Sequence, residues 1–425
     1  MTSVERAALV SAFSGERYAD LESLSDLIAP PYDVISPAER KSYQTRHRNN
    51  IVSLTLPEGE NRYETAAETL ATWREEGVLV RETEVCVYVL RQTFTPPAGS
   101  PTARAGRAGR VGRVGLLAAI AVEGYESGRV LPHERTHAHI KEDRLALMRA
   151  TGAMFESLLF MAPDASGKLK SLIADEVGRQ PLARAQLGDV TNELWRVSGP
   201  NAQAMCEAAE TSSIYIADGH HRYETASAYR LENSKADRTL GLIVPTGDPG
   251  LVVLPTHRMI SGDEVGQGEL GSAVDSAFDI EEMTEDTDVD IFLEHCNSDE
   301  TACVLVLPAK TMLLRLKRGL SMADMMPSVS PVVSGLGVAR IDHLVVNEIC
   351  RIAGSGSEVS YSPSSAAVRD AVGSGDCVAG VLLSATSVED VIAVADAREF
   401  MPQKATFFSP KVPSGLVMLG FDSES

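Results

Sequence analysis

Asp218-Gly219-His220-His221-Arg222 gathers a carboxylate, two imidazoles and a guanidinium around one glycine. The apolar run Ile214-Tyr215-Ile216-Ala217 precedes it and reads as a buried strand, from its β-branched and aromatic members. A helix-compatible segment, Arg222 to Leu231, follows. A strand that turns through glycine into a helix aims backbone N–H groups and the positive helix end at one spot. Such a spot suits an anion, phosphate above all. His220, His221 and Arg222 add donors and charge there. Asp218 is the odd member, since a carboxylate beside a phosphate site is useful if it holds a metal ion or takes a proton. The competing assignment is a solvated turn with Asp218 as N-cap, and the density of functional groups weighs against it.

A second stretch, Leu131 to Arg144, is dense in His, Glu, Asp and Arg. His133-Glu134-Arg135-Thr136-His137 formally fits the His-Glu-x-x-His signature of zinc hydrolases, with His139 as a further ligand. That signature needs both histidines on one helix face. Pro132 allows a helix to begin only there, which leaves His133 in a frayed first turn. The zinc reading therefore ranks below a phosphate site, and a polar surface loop competes with both. Two further stretches carry candidate ligands. Pro30-Pro31 fixes an extended loop bearing Tyr32 and Asp33, which fits a site lining and a helix lead-in equally well. The proline-rich tail from Phe400 to Leu416 presents Lys404, Ser409 and Lys411 and reads as a ligand-binding arm returning to the first domain. His257 and Arg258 fit either the anion pocket or a surface turn.

The elements that must position these groups alternate. Helical patterns cover Tyr63–Gly77, Glu142–Ser157, Lys168–Arg179 and Asn201–Ala209. Strand patterns cover Val85–Phe94, Gly115–Val122, Leu158–Ala162, Val190–Val197, Thr239–Val244 and Leu251–Leu254. Between the first two strands lies a Gly- and Pro-rich tract with Arg104, Arg107, Arg110 and Arg113, read as a mobile hairpin loop. It has no aromatics on which a nucleic acid would stack. From about residue 260 the texture becomes acidic. Expected there are helices near 267–277 and 288–296, a hairpin at 302–317, a helix Val338–Ala353, a strand Val378–Ser384 and a helix Val388–Asp396. The fold class expected is α+β. Residues 1–258 form a phosphate-binding domain with an N-terminal extension, 259–398 a second α+β domain, and 399–425 the returning arm.

Composition narrows the function. With 39 basic against 59 acidic residues the chain carries a net charge of −20, which opposes binding to nucleic acid or an anionic membrane. The six cysteines are scattered without a Cys-x-x-Cys pair and read as reduced thiols. Charged residues interrupt Met1–Ala29, so no signal-peptide pattern emerges, and no stretch reaches membrane-spanning length. A cytoplasmic protein is expected.

Four segments together carry a resemblance: Ala29-Pro30-Pro31-Tyr32-Asp33-Val34, Pro132-His133-Glu134-Arg135-Thr136, Ala217-Asp218-Gly219-His220-His221-Arg222, and the tail from Lys404 to Lys411. Over most of its length the chain resembles a widespread family of uncharacterised prokaryotic proteins of about this size. That family is similar to the free serine kinases of the ParB/sulfiredoxin superfamily, which carry Pro-His-Glu, Asp-Gly-His-His-Arg and Ser-Pro-Lys in the same order. The resemblance implies a ParB/sulfiredoxin-like mixed-sheet core and a Mg²⁺-dependent phosphotransferase. Its donor would be ATP, ADP or pyrophosphate and its acceptor a small hydroxylated metabolite, foremost free L-serine. Glu134 would be the catalytic base. Asp218 would assist through Mg²⁺ or the hydroxyl. His133, Gly219, His220, His221, Arg222, Lys404, Ser409 and Lys411 would bind. A hydrolase at the same site and a non-catalytic nucleotide-binding switch are the alternatives. No Gly-x-x-x-x-Gly-Lys-[Ser/Thr] loop is present. Sulfiredoxin's turn cysteine is replaced by histidines, which argues against sulfinic-acid repair, and no basic helix-turn-helix module accompanies the core.

Overall fold

The long apolar strands of the first half assemble into one sheet. In the computed structural model, which describes residues 7–97, 109–136, 138–283, 289–295 and 300–421, this sheet is nine-stranded. Its middle is Cys86–Phe94, paired antiparallel with Val111–Ala121 on one side and Val190–Ser198 on the other. Val89 lies opposite both Leu116 and Trp195. Beyond Val111–Ala121 come Arg238–Pro245, Leu158–Ala162, Ile214–Asp218 and the short Val130–Leu131. Arg238–Pro245 runs parallel to Leu158–Ala162, and Val130–Leu131 parallel to Ile214–Asp218, so the sheet is mixed. Leu158–Ala162 is buried throughout, as a near-continuous apolar run covered on both faces should be.

Six further strands form a second sheet in the order Phe278–Glu282, Lys310–Leu316, Ala302–Leu307, Ala379–Leu383, His257–Ser261 and Glu358–Ser362. Its inner face joins the core of the first sheet. Ile260, Phe278 and Val381 belong to the same buried cluster as Leu116 and Ile216. The expected boundary at residue 258 falls inside the strand His257–Ser261.

Several elements differ from their sequence patterns for local reasons. The helix expected to reach Ser157 runs Ala138–Thr151 and stops because Gly152 takes a positive φ of 59°. Ala153–Met154 then pairs with Leu419–Gly420 of the tail. The return strand begins at Val111, earlier than expected, so Arg113 sits in the sheet, fully buried, and not in a loop. Arg110 is tied down by donating to Thr93 O and Asp189 O. Arg104 and Arg107 lie outside the described residues. A short half-polar strand, Ala183–Leu187, was not apparent in the sequence. The helix expected at Val338–Ala353 forms, but with a π-turn at Asp342–Val346 inside it. Among the described residues no helix is long and apolar enough to cross a membrane, and Cys86, Cys206, Cys350 and Cys377 are free thiols.

Candidate active site

The strand Ile214–Asp218 buries its first four residues and delivers Asp218 to the sheet's end. Its pairing with Leu158–Ala162 slips at Ala217: Ile216 faces Phe160, and Asp218 faces Leu159. A bulge of this kind re-aims the side chain after it, here Asp218. Gly219 follows with φ 99°, and a Cβ there would lie 3.1 Å from Leu158 Cγ and 3.2 Å from Arg222 Cζ. Conformation and space both call for glycine. The 13-residue helix His220–Glu232 starts at once, Tyr223 N donating to Gly219 O at 2.9 Å. The N–H groups of its first turn have no acceptor within the helix and point back past Gly219. Tyr223 anchors the helix, stacking on Tyr125 and donating to Glu123 O at 2.9 Å.

Glu134 reaches the same place through parallel pairing. Val130 and Leu131 lie opposite Ile214 and Tyr215, so Glu134 and Asp218 each stand three residues past a paired partner. The intervening His133 is buried, its N–H donating to His220 Nε2 at 3.3 Å, with the two rings edge to face at 4.6 Å.

The tail closes the site by touching each of these segments in turn. Met401 N donates to His133 O, Lys404 N to Glu134 Oε1 at 3.2 Å, and Thr406 Oγ1 lies 3.0 Å from His133 Nε2. Phe407–Ser409 pairs with Val252–Leu254. Lys411 Nζ then donates to Asp218 Oδ1, its ammonium lying 4.3 Å over the Phe407 ring. Ser414 pairs through its backbone with Ala29, and its hydroxyl bonds Pro30 O and Glu156 Oε1. Glu156 also accepts from Tyr32 N at 2.9 Å, and the Arg144 guanidinium covers the Tyr32 ring at 4.2 Å. The Pro-Pro-Tyr loop is thereby held against the site.

The enclosed cavity measures about 200 Å³. Of the residues singled out in the sequence, Glu134, Asp218, Gly219, His220, His221, Arg222, Lys404 and Lys411 line it, as do Tyr32 and Asp33. His133 and Ser409 do not. His133 is 1 % exposed and supports Glu134 and His220 from behind, and Ser409 is spent on the strand with Val252. Arg222, expected to hold phosphate, instead donates to Asp218 Oδ2 and to Ser157 O, both at 2.7 Å. It joins the site as the clamp on Asp218. His257 and Arg258 also lie outside the lining. Both are 1 % exposed, His257 Nδ1 accepting from Leu383 N and Arg258 pairing with Asp342. His137 and the side chain of His139 fall outside the described residues. Thr256, Tyr361, Pro363, Thr406, Phe407 and Arg135 also line it. Tyr361 and Pro363 had no motif to flag them, since they come from the second sheet.

Electrostatics separates the two carboxylates. Burial raises the Glu134 carboxyl, opposed by the nearby Lys404 charge. Burial would also raise Asp218, but Lys411 and Arg222 outweigh it and hold this carboxyl below the usual range. Burial keeps the histidines neutral, His133 being lowered to about 4 and His220 falling well below its ordinary value. Lys404 and Arg135 make no salt bridge among the described residues and remain available to an anion.

A protein-held Mg²⁺ fits this arrangement poorly. The ion takes one or two carboxylates together with phosphate and water oxygens, yet both Asp218 oxygens already accept from cations. Among the described residues no group of three or more His, Cys, Asp or Glu side chains could hold a metal ion.

The family model described as "Protein of unknown function (DUF1015)" matches residues 10–339. No curated protein matches the chain. Solved structures that are similar include a conserved hypothetical protein from Pyrococcus furiosus, 15% identical over 70% of this chain and 94% of that one, with a TM-score of 0.35. They also include a free serine kinase in complex with AMP, 14% identical over 68% and 90%, with a TM-score of 0.36. A C-terminally truncated SbnI from Staphylococcus aureus is 9% identical over 70% and 85%, with a TM-score of 0.35. Likeness at this level says nothing of what the present chain binds or does.

Proposed function

The chain belongs to the family of proteins of unknown function DUF1015, and we propose that its cavity transfers a phosphoryl group from a nucleotide or pyrophosphate to a small hydroxylated metabolite, with free L-serine as the leading acceptor. One observation carries the reading: two carboxylates border one cavity with their acidities pushed in opposite directions. Such pairs mark acid–base assignments. Glu134, made more basic by burial, takes the proton from the acceptor hydroxyl. The acceptor oxygen forms its bond to phosphorus as the bond to the leaving phosphate breaks, and the electron pair departs with that phosphate. The first turn of His220–Glu232, Lys404 and Arg135 neutralise the phosphates, and Lys411 is shared between them and Asp218. Phosphoryl transfer asks a protein for positioning and charge and little covalent chemistry, which is what this cavity supplies. Mg²⁺ would arrive on the donor's own phosphate oxygens and reduce their repulsion.

The test is phosphorus NMR on the protein with Mg²⁺, L-serine and, in separate tubes, ATP, ADP or pyrophosphate. O-phosphoserine from one donor, lost in Asp218→Ala, is the expected result. Orthophosphate alone would make the protein a hydrolase with water as acceptor. Nucleotide binding without turnover would make it a switch.

A further inference from the structure

The second sheet sends Tyr361 into the cavity wall, and Thr256, the residue that leads into its strand His257–Ser261, stands beside it; the phosphotransfer reading gives them no role. Thr256 is 5 % exposed, and its Oγ1 has no hydrogen-bond partner among the described residues. A buried hydroxyl lining a cavity without a partner is destabilising until one arrives.

The surroundings hold this wall still. Arg258 donates through Nη1 to Thr256 O, and its Nε and Nη2 bond the two Asp342 oxygens at 2.8 Å each. The same guanidinium lies 5.4 Å from the Tyr361 ring, across the strand pair that sets Arg258 opposite Tyr361. Asp342 opens the π-turn of its helix, a distortion that recurs at functional sites. Tyr361 and Glu134 line the same cavity, so this wall faces the base.

Among the described residues this wall presents hydroxyls and no available cation, because Arg258 is spent on Asp342 and Thr256 O. The groups suited to phosphate all belong to the first sheet and the tail. We infer that Thr256 and Tyr361 recognise the acceptor: they hydrogen-bond a second polar group of the small hydroxylated substrate, its amino or carboxylate group, while Glu134 faces the hydroxyl to be phosphorylated. This inference rests on the phosphotransfer reading for the word acceptor, but its test does not require turnover.

Calorimetric titration of the full chain with L-serine and, separately, with ADP reads it directly. Thr256→Val keeps the shape and removes the hydroxyl, and Tyr361→Phe serves as a second variant. Thr256→Val is expected to weaken L-serine by at least about tenfold, the scale of one lost hydrogen bond to a charged group, and to leave ADP affinity unchanged. Ethanolamine and 3-hydroxypropanoate each lack one polar group of serine. The one lacking the group held by Thr256 keeps its affinity in the variant. Unchanged L-serine affinity in both variants, an equal loss for ADP, an equal loss for both analogues, or no binding of L-serine to the unaltered protein would each overturn the inference. If L-serine binding depends on Thr256 but no phosphoserine forms, the phosphotransfer reading falls and the subsite stands.

Discussion

Glu134 and Asp218 leave neighbouring parallel strands at the same end, yet one is made basic and the other is locked as an anion. Glu134→Gln is expected to lower turnover by about two to four powers of ten with little change in Tm, checked by steady-state rates and thermal melting. The pH profile follows from the sign of the shift. A base works deprotonated, and burial raises the Glu134 carboxyl, so activity should rise with pH through a midpoint above the ordinary carboxylate range. That limb should vanish in Glu134→Gln, and a profile already flat in the unaltered protein would remove Glu134 from the role. The motifs pointed to both carboxylates because they are local in sequence. Their opposite acidities were not legible, because Lys411, which holds Asp218, lies 193 residues away.

At the level of elements, the strand–glycine–helix unit was readable from residues 214–231 because each part has a local cause: an apolar run, a glycine with φ 99°, a helix-forming stretch. Gly219→Ala should cost about 1–2 kcal/mol for the left-handed backbone alone, more with the contacts to Leu158 and Arg222, and calorimetric unfolding would show it. The strand Val111–Ala121 was misjudged because Arg113 looks like a loop charge. In the sheet its Nη2 donates to Gln92 Oε1 and Pro410 O, and Gln92 Nε2 donates to Lys411 O at 3.0 Å. Burial lowers this guanidinium to about 10, and its Nε and Nη1 have no partner among the described residues. These two side chains hold the main chain from which Lys411 reaches Asp218. Replacing a buried, poorly paired charge by an apolar side chain of similar length is often tolerated by the fold. Arg113→Met is therefore expected to keep Tm near that of the unaltered protein while weakening phosphate-donor binding. A large loss of Tm with unaltered donor affinity would assign Arg113 to stability alone.

For the whole molecule, we propose the three-part division with its first boundary moved to Pro255, so that the strand His257–Ser261 stays whole. The parts share one buried cluster, and the tail is stitched to His133, Ala29, Phe155 and Glu16 in succession. A single calorimetric transition is expected, and two separated transitions would show that the sheets unfold independently. Acid should weaken the structure earlier than carboxylate titration alone would. His133, lowered from 6.5 to about 4 by burial, binds its proton more readily when unfolded. Its contribution, roughly 3 kcal/mol by linkage, is present in full above pH 6.5 and is lost as pH falls towards 4. Urea midpoints measured across that window should decline. His133→Gln should flatten the decline, and an unchanged slope would mean that this histidine is not kept neutral in the fold.

The sequence by itself determined the local devices: the apolar runs that become strands, the glycine turn that opens a helix at Asp218, and the motifs that point to phosphate chemistry. Each follows from sterics and hydrogen bonding within a few residues. Only the tertiary structure decided which of the marked residues share a cavity. It turned Arg222 inward as a clamp, set His133 and Ser409 behind the lining, and brought in Tyr361 from the second sheet and Thr256 from the segment that enters it. Those outcomes depend on burial and on pairings between distant segments, which set both where a side chain points and how strongly it holds its proton.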